Sequence, residues 1–485
     1  MRFLSALIGF LIIYTLAPSE TTAADLSQVG PQASAEQIIQ ARGPSAEAVL
    51  HIEYATGNKQ GSLHPGETDI APDFVFVKDT FSATIFDYKL RRQIAIDSNH
   101  KTFGNISLYA MVDFREFESS HYRSQRDVLV KTGLPSSSVD IRDPFWNQQE
   151  VGIVAPDDGP INFARLVSPD GITFMIDGED AGCYTPSTQL LSKEEMKGFA
   201  RFVRETMNLH PMIVNDIVAS GHLPSRISWL VINGANRTAR TWHLISALQT
   251  SGTYPLDATY TPDLAPFISP ARDGSEMEKL LPIMLSAVKS RLGEAARSPD
   301  EYMSAMSDAL KRDAILQEYL LDSEFLLQYG NGTTACLNLL STSTNCATAQ
   351  DIADKWRHDS RTSAIIQSFE TEKRDPKQAV AERDTIAHGD VADGYMFDIW
   401  AGKALAEAGD VKDALPRLSG GIQGNPYIGS FYKSLGDVYR REHAVYQAWL
   451  CYDLGRALPG ETDIPNMRDI AKVEDDLFAH YPQYF

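Results

Sequence analysis

Two stretches of the chain, 34 residues apart, carry the same kinds of residue at the same intervals. Counting from Gly429 as position 1, Tyr432 falls at 4, Leu435 at 7, Gly436 at 8, Tyr439 at 11, Ala448 at 20, Tyr452 at 24 and Gly455 at 27. Pro459 lies one place short of 32. Counting from Tyr395, Gly402 falls at 8, Leu405 at 11, Ala414 at 20, Leu418 at 24, Gly421 at 27 and Pro426 at 32. Small residues at 8 and 20 let two helices approach closely. Large residues at 4, 7, 11 and 24 fill the space around that contact, and proline stops the second helix before the next unit. The spacing predicts four antiparallel helices over 395–462, with breaks near 409, 426, 442 and 459.

This pattern resembles the tetratricopeptide repeat over about 395–462. The first unit departs from it at position 4 (Asp398) and position 7 (Ala401). The resemblance implies stacked helical hairpins that scaffold protein assemblies, with a binding groove lined by the first helix of each unit. The groove positions that carry charge here are Lys403, Glu407, Lys433, Asp437, Arg440 and Arg441. Lys433 and Arg440 are seven residues apart, so they share a helix face and are expected to be exposed. They suit a protein or peptide partner that presents carboxylates. The alternative is a solvated basic face balanced by Asp437 and Glu442. Residues 463–479 read as a closing helix. Residues 271–394 have helical apolar spacing and read as degenerate repeats or irregular helices. A generic helical bundle is the alternative to the whole repeat reading.

A chain of 485 residues exceeds one ordinary core, which predicts two or three domains. Its net charge of −20 argues against nucleic-acid partners and against docking on an anionic membrane. The N-terminus reads as a secretory signal peptide over 1–24. Arg2 precedes an apolar run at 3–17, and Thr22, Ala23 and Ala24 supply the small residues of a cleavage site. An uncut membrane anchor is the alternative. No later segment reaches spanning length, so the expectation is a periplasmic or extracellular protein with no membrane span after cleavage. Cys336 and Cys346 bracket a short loop, and export favours a disulfide between them over two free thiols. Cys183 and Cys451 read as buried small hydrophobes.

Residues 25–47 are polar and small, and read as a linker. From 48 to 270 the texture is α+β on an antiparallel sheet, and from 271 onward it is all-α. Short β-branched and aromatic runs at 49–54, 74–77, 81–86 and 94–97 predict a meander. A helix is expected over 107–131, with strands at 152–155 and 161–167. Ser192 and Glu195 form a capping box ahead of Met196, Phe199, Val203 and Met207 on one helical face. A long hairpin turns at Asn233-Gly234.

The sequence has no HExxH, GxSxG, P-loop or post-strand GxGxxG, so no cofactor, metal or catalytic residue is expected. His210, His222 and His243 lack metal-ligand spacing and read as structural. The first reading is therefore an exported, non-enzymatic protein that binds a protein or peptide. A second is a carrier whose curved sheet holds a lipid or small apolar ligand against Phe74, Phe76, Phe81 and Ile85. A third is an exported hydrolase whose site no motif reveals.

Overall fold

Alternating apolar runs and polar turns build one long sheet in the N-terminal half. The computed structural model describes residues 29–43, 47–58, 61–79, 82–132, 144–155, 161, 163–176, 178–233, 236–267, 274–290, 297–329, 346–387, 394–458 and 465–485. Strands β1 (Glu47–Asn58), β2 (His64–Ile70), β3 (Phe74–Asp79), β4 (Ala83–Asp87), β5 (Arg92–Asp97) and β6 (Thr102–Ser107) form one antiparallel meander. Strands β7 (Ala164–Ser168), β8 (Gly171–Ile176), β9 (Glu179–Leu190), β10 (His222–Asn233) and β11 (Asn236–Gly252) form a second. Strand β11 returns beside β1, from Glu47 opposite Gly252 to Asn58 opposite Arg240, and fuses the two meanders. The short β12 (Thr261–Pro262) adds parallel to β6. The fold is an α+β sheet region followed by an all-α series of helical hairpins, as the sequence predicts.

The period-2 pattern of β1–β6 makes two apolar faces. Val49, Phe74, Ile85, Ile94 and Phe103 share one core, and Leu50, Ile52, Tyr54, Val75 and Phe86 belong to the other. Helix α1 (Ala35–Arg42) covers the first face. Residues 29–43 are thus not a linker. Ser34 and Gln37 close a capping box, and Val29, Ala33, Ala35 and Ile38 are buried. Their small side chains, which suggested a linker, let the segment lie close on the sheet. Its last residue, Arg42, is buried against Asp87 at 3.0 Å and also pairs with Asp73. The same segment covers Phe74 and Ile85, so the face suggested for an apolar ligand is filled from within the chain. Phe76 packs partly against that core, and Phe81 lies outside the described residues.

The second face carries helices α2 (Leu108–Thr132), α3 (Pro144–Val151), α4 (Lys193–Thr206) and α5 (Pro211–Ser220). The Ser192–Glu195 capping box forms, and Met196, Phe199, Val203 and Met207 are buried as their spacing predicts. The run at 152–155 forms no strand. It leaves α3 through Gly152, whose φ is +74°, and buries Ile153 and Ala155 as a packed loop.

The helical half contains α6 (Gly274–Ser290), α7 (Pro299–Lys311), α8 (Ile315–Tyr329), α9 (Cys346–His358), α10 (Ser360–Glu372), α11 (Pro376–Ala387), α12 (Tyr395–Glu407), α13 (Val411–Gly424), α14 (Gly429–Arg441), α15 (Val445–Arg456) and α16 (Pro465–His480). Helices α7 and α8, α10 and α11, α12 and α13, and α14 and α15 pair as hairpins. Each of these hairpins turns in three residues. In three of the turns the middle residue, Asp313, Gly409 or His443, is left-handed. In those three the next N–H reaches back five residues, Ala314 to Ala309, Asp410 to Leu405 and Ala444 to Tyr439. This double-bonded cap satisfies the last carbonyls of the first helix. Close approach explains two glycines: a Cβ on Gly402 would meet Leu418 at 2.7 Å, and one on Gly436 would meet the Tyr452 ring at 2.5 Å.

Candidate functional site: a polar cleft between α2 and the last hairpin

Helix α14 separates its residues by face. Phe431, Tyr432, Leu435, Val438 and Tyr439 are buried in the hairpin, which leaves Lys433, Asp437, Arg440 and Arg441 on the other side. Helix α2 lies along that side. Its first half is anchored by Tyr109 stacked on Trp449 at 5.5 Å and by Phe117 against the His443 ring at 3.8 Å. Between them is a cleft of about 540 Å³. One wall is Asp113, Glu116, Phe117, Ser120 and Arg123, and the other is Asp437, Arg440, Arg441 and Tyr452.

Asp113 lies at the base, with its side chain 4% exposed. It accepts from Arg440 Nε at 2.8 Å, Arg440 Nη2 at 2.7 Å and Trp449 Nε1 at 2.8 Å. These are three short bonds, two of them a bidentate guanidinium fork. The Asp113 carboxylate holds the Arg440 guanidinium above its ordinary pKa. Burial, reinforced by the Asp113 charge, pushes the Glu116 carboxyl up. Asp437 takes Lys433 Nζ at 2.6 Å and the Tyr452 hydroxyl at 2.9 Å. Burial first, then Asp437, keeps that hydroxyl protonated. Arg441 is exposed, and its Nη1 donates to the Ala406 carbonyl at 2.6 Å, tying the second hairpin to the first. Among the described residues it has no carboxylate partner.

The structure therefore brings Asp437, Arg440 and Arg441 together and sets Lys433 beside them. Lys403 is half-buried and Glu407 exposed, and neither lines the cleft. Lys433 and Arg440 differ from the expected exposure. Their side chains are 17% and 37% exposed, because one lies along Asp437 and the other is drawn onto Asp113. Arg440 grips a carboxylate of the same chain, 327 positions away. The α2 wall was missed in the sequence. Its signal is a helical face, since Asp113, Glu116, Phe117, Ser120 and Arg123 fall at i, i+3, i+4, i+7 and i+10.

Elsewhere, His210 is buried, stacked on Phe145 at 4.1 Å, and burial pushes its pKa down to about 3. It caps α5 by accepting from the Met212 N–H. Cys451 is a buried free thiol, whereas Cys183, expected to be buried, is half-buried in β9. Cys336 and the side chain of Cys346 lie outside the described residues. Among the described residues, no group of three or more His, Cys, Asp or Glu is arranged to hold a metal ion. No described helix is long and apolar enough to cross a membrane. Compared with models of protein families, with curated proteins and with solved structures, the chain matches none.

Proposed function

We infer that this chain is an exported, non-enzymatic binding protein, a scaffold or assembly factor. Its last hairpins act as tetratricopeptide-like units that take an acidic protein or peptide segment. One observation carries the reading. In the cleft Arg440 already holds a carboxylate in bidentate geometry, and the adjacent Arg441 has one hydrogen-bonded nitrogen and no acid partner among the described residues. A second carboxylate entering the cleft meets Arg441 at the exposed rim, with the half-buried Phe117 ring beside it. The −20 net charge places nucleic acid outside the range of partners. Export rests on the N-terminal 24 residues, and N-terminal sequencing of the secreted protein should begin at Asp25.

The binding test is fluorescence polarisation of the full chain against acidic, neutral and basic peptides. Acidic peptides should bind selectively, and Arg441→Glu should weaken them about tenfold or more without altering the melting curve. Equal binding of basic peptides, or unchanged affinity in the variant, would remove the cleft from consideration.

A further inference from the structure

Helix α4 covers only part of the second sheet face. It ends at Thr206, and beyond its last turn a cleft of about 490 Å³ opens across strands β1–β5, β10 and β11. Its floor is aromatic: Tyr54, Phe86, Phe202, Trp229 and Trp242. Tyr54 lies within 6 Å, centroid to centroid, of both Phe202 and Trp242. Gly66 makes this possible, since a Cβ there would sit 2.5 Å from the Tyr54 ring. The volume is that of a small-molecule site, an aromatic floor under a polar rim that includes Thr56, Ser82, Thr84, Gln93 and Thr206.

The charges of the cleft select its ligand. Its negative groups have partners within the protein. Glu205 pairs with Arg115 at 3.0 Å, and the Asp79 carboxylate accepts from the Ser82 backbone and hydroxyl. The end of α4 is likewise satisfied, because Arg115 donates to the Arg204 carbonyl and Thr206 to the Phe202 carbonyl. Arg240, on the rim, has no side-chain hydrogen bond or ion pair among the described residues. The Tyr54 hydroxyl also has no partner among them. Within the lining, Gln93 Oε1, Trp229 Nε1 and Trp242 Nε1 are buried without a hydrogen bond, a deficit that a native site removes with water or a ligand.

We propose that this cleft binds a small amphipathic carboxylate. The carboxylate sits on Arg240 and the apolar body on the aromatic floor. Arg240 lies opposite Asn58, four residues beyond Tyr54 on β1. At about 3.3 Å per residue the two are ~13 Å apart along the strand. That length admits a medium-chain fatty acid or an aromatic acid. The site is distinct from the α2–α14 cleft and does not depend on its reading.

Calorimetric titration of the full chain with decanoate and with 2-naphthoate tests this, with decylammonium and 2-naphthylmethylammonium as cationic counterparts. At least one carboxylate should bind at a single saturable site and outcompete its ammonium counterpart. Arg240→Gln, at an exposed position, should weaken it about tenfold or more, whereas Lys193→Gln, an exposed cation outside both clefts, should leave it unchanged. The proposal fails if neither carboxylate saturates, if the ammonium binds more tightly, or if Arg240→Gln binds as the parent does.

Discussion

Asp113 shows how one buried carboxylate sets the behaviour of its neighbours. It is nearly inaccessible, while its partner Arg440 keeps 37% of its side chain in water. The two halves of the pair are therefore unequal. Arg440→Ala leaves a buried anion with only the Trp449 N–H, and breaking a buried pair from that side costs about 3 kcal/mol. Asp113→Ala leaves a cation that water can reach and one buried indole N–H without an acceptor, a loss of about 2 kcal/mol. Urea unfolding of both variants should rank Arg440→Ala as the more destabilised. An equal or reversed ranking would mean that Asp113 is solvated in solution. The same reasoning decides how the cleft is probed. Charge reversal at Arg440 removes a structural ion pair along with any ligand contact, whereas Arg441, which among the described residues makes one carbonyl bond, separates the two.

Hairpins follow from two local devices, each readable at a single position. The left-handed cap residue is glycine at 409, but Asp313 and His443 occupy the same conformation with φ near +60°. A side chain there costs about 1 kcal/mol or more, and glycine's extra unfolded freedom cancels part of the gain. Asp313→Gly should therefore raise stability by about 0.5 kcal/mol, and Gly409→Ala should lower it by ~1 kcal/mol. The second device is close approach. Gly436→Ala places a methyl against Tyr452, whose ring is held by its bond to Asp437, and should cost about 2 kcal/mol in thermal unfolding. A neutral Gly436→Ala would show that the hairpin can spread. These devices explain what was legible. Gly402 and Gly436, the Ser192–Glu195 box and the pairing of β10 with β11 each act within one or two neighbouring elements, so their residue types announce them, although Gly234 of the expected Asn233-Gly234 turn lies outside the described residues. The Ser34–Gln37 box is equally local, yet it was passed over because the surrounding small residues read as a linker. Asp113 to Arg440 was not legible. Nothing in either residue's neighbourhood specifies a partner more than 300 positions away, and only the packing of α2 against α15 brings them together.

The change from strands to helices near residue 270 is a change of texture within one core. Ile52, Phe86 and Trp242 of the sheet belong to the same buried cluster as Phe431, Trp449 and Tyr484 of the helical half. Three kinds of contact bind the halves. Arg92, buried in β5, pairs with Asp453 of α15 at 2.6 Å, and Asp113 draws its donors from α14 and α15. Phe485 packs on Tyr109 at 4.6 Å, its carbonyl accepts from Arg201, and the Tyr484 hydroxyl donates to the Gly152 carbonyl. Interfaces between independent domains are usually more polar and looser than this. The two halves should therefore unfold together. Near-ultraviolet and far-ultraviolet circular dichroism should follow one coincident transition on heating. A chain ending at Ala387 should not reach the native state, because it removes the ion-pair partners of Arg92 and Asp113 and exposes the apolar surface around Tyr109 that Trp449 and Phe485 cover. A smaller deletion reads the same coupling more gently. Removing residues 482–485 takes away Tyr484 and Phe485, two buried aromatics that join the sheet region to α16. It should destabilise the whole molecule by on the order of 3 kcal/mol or more. If the deletion instead produced two separate transitions, with the sheet region melting early and the hairpins unchanged, the halves would be independent bodies that merely touch.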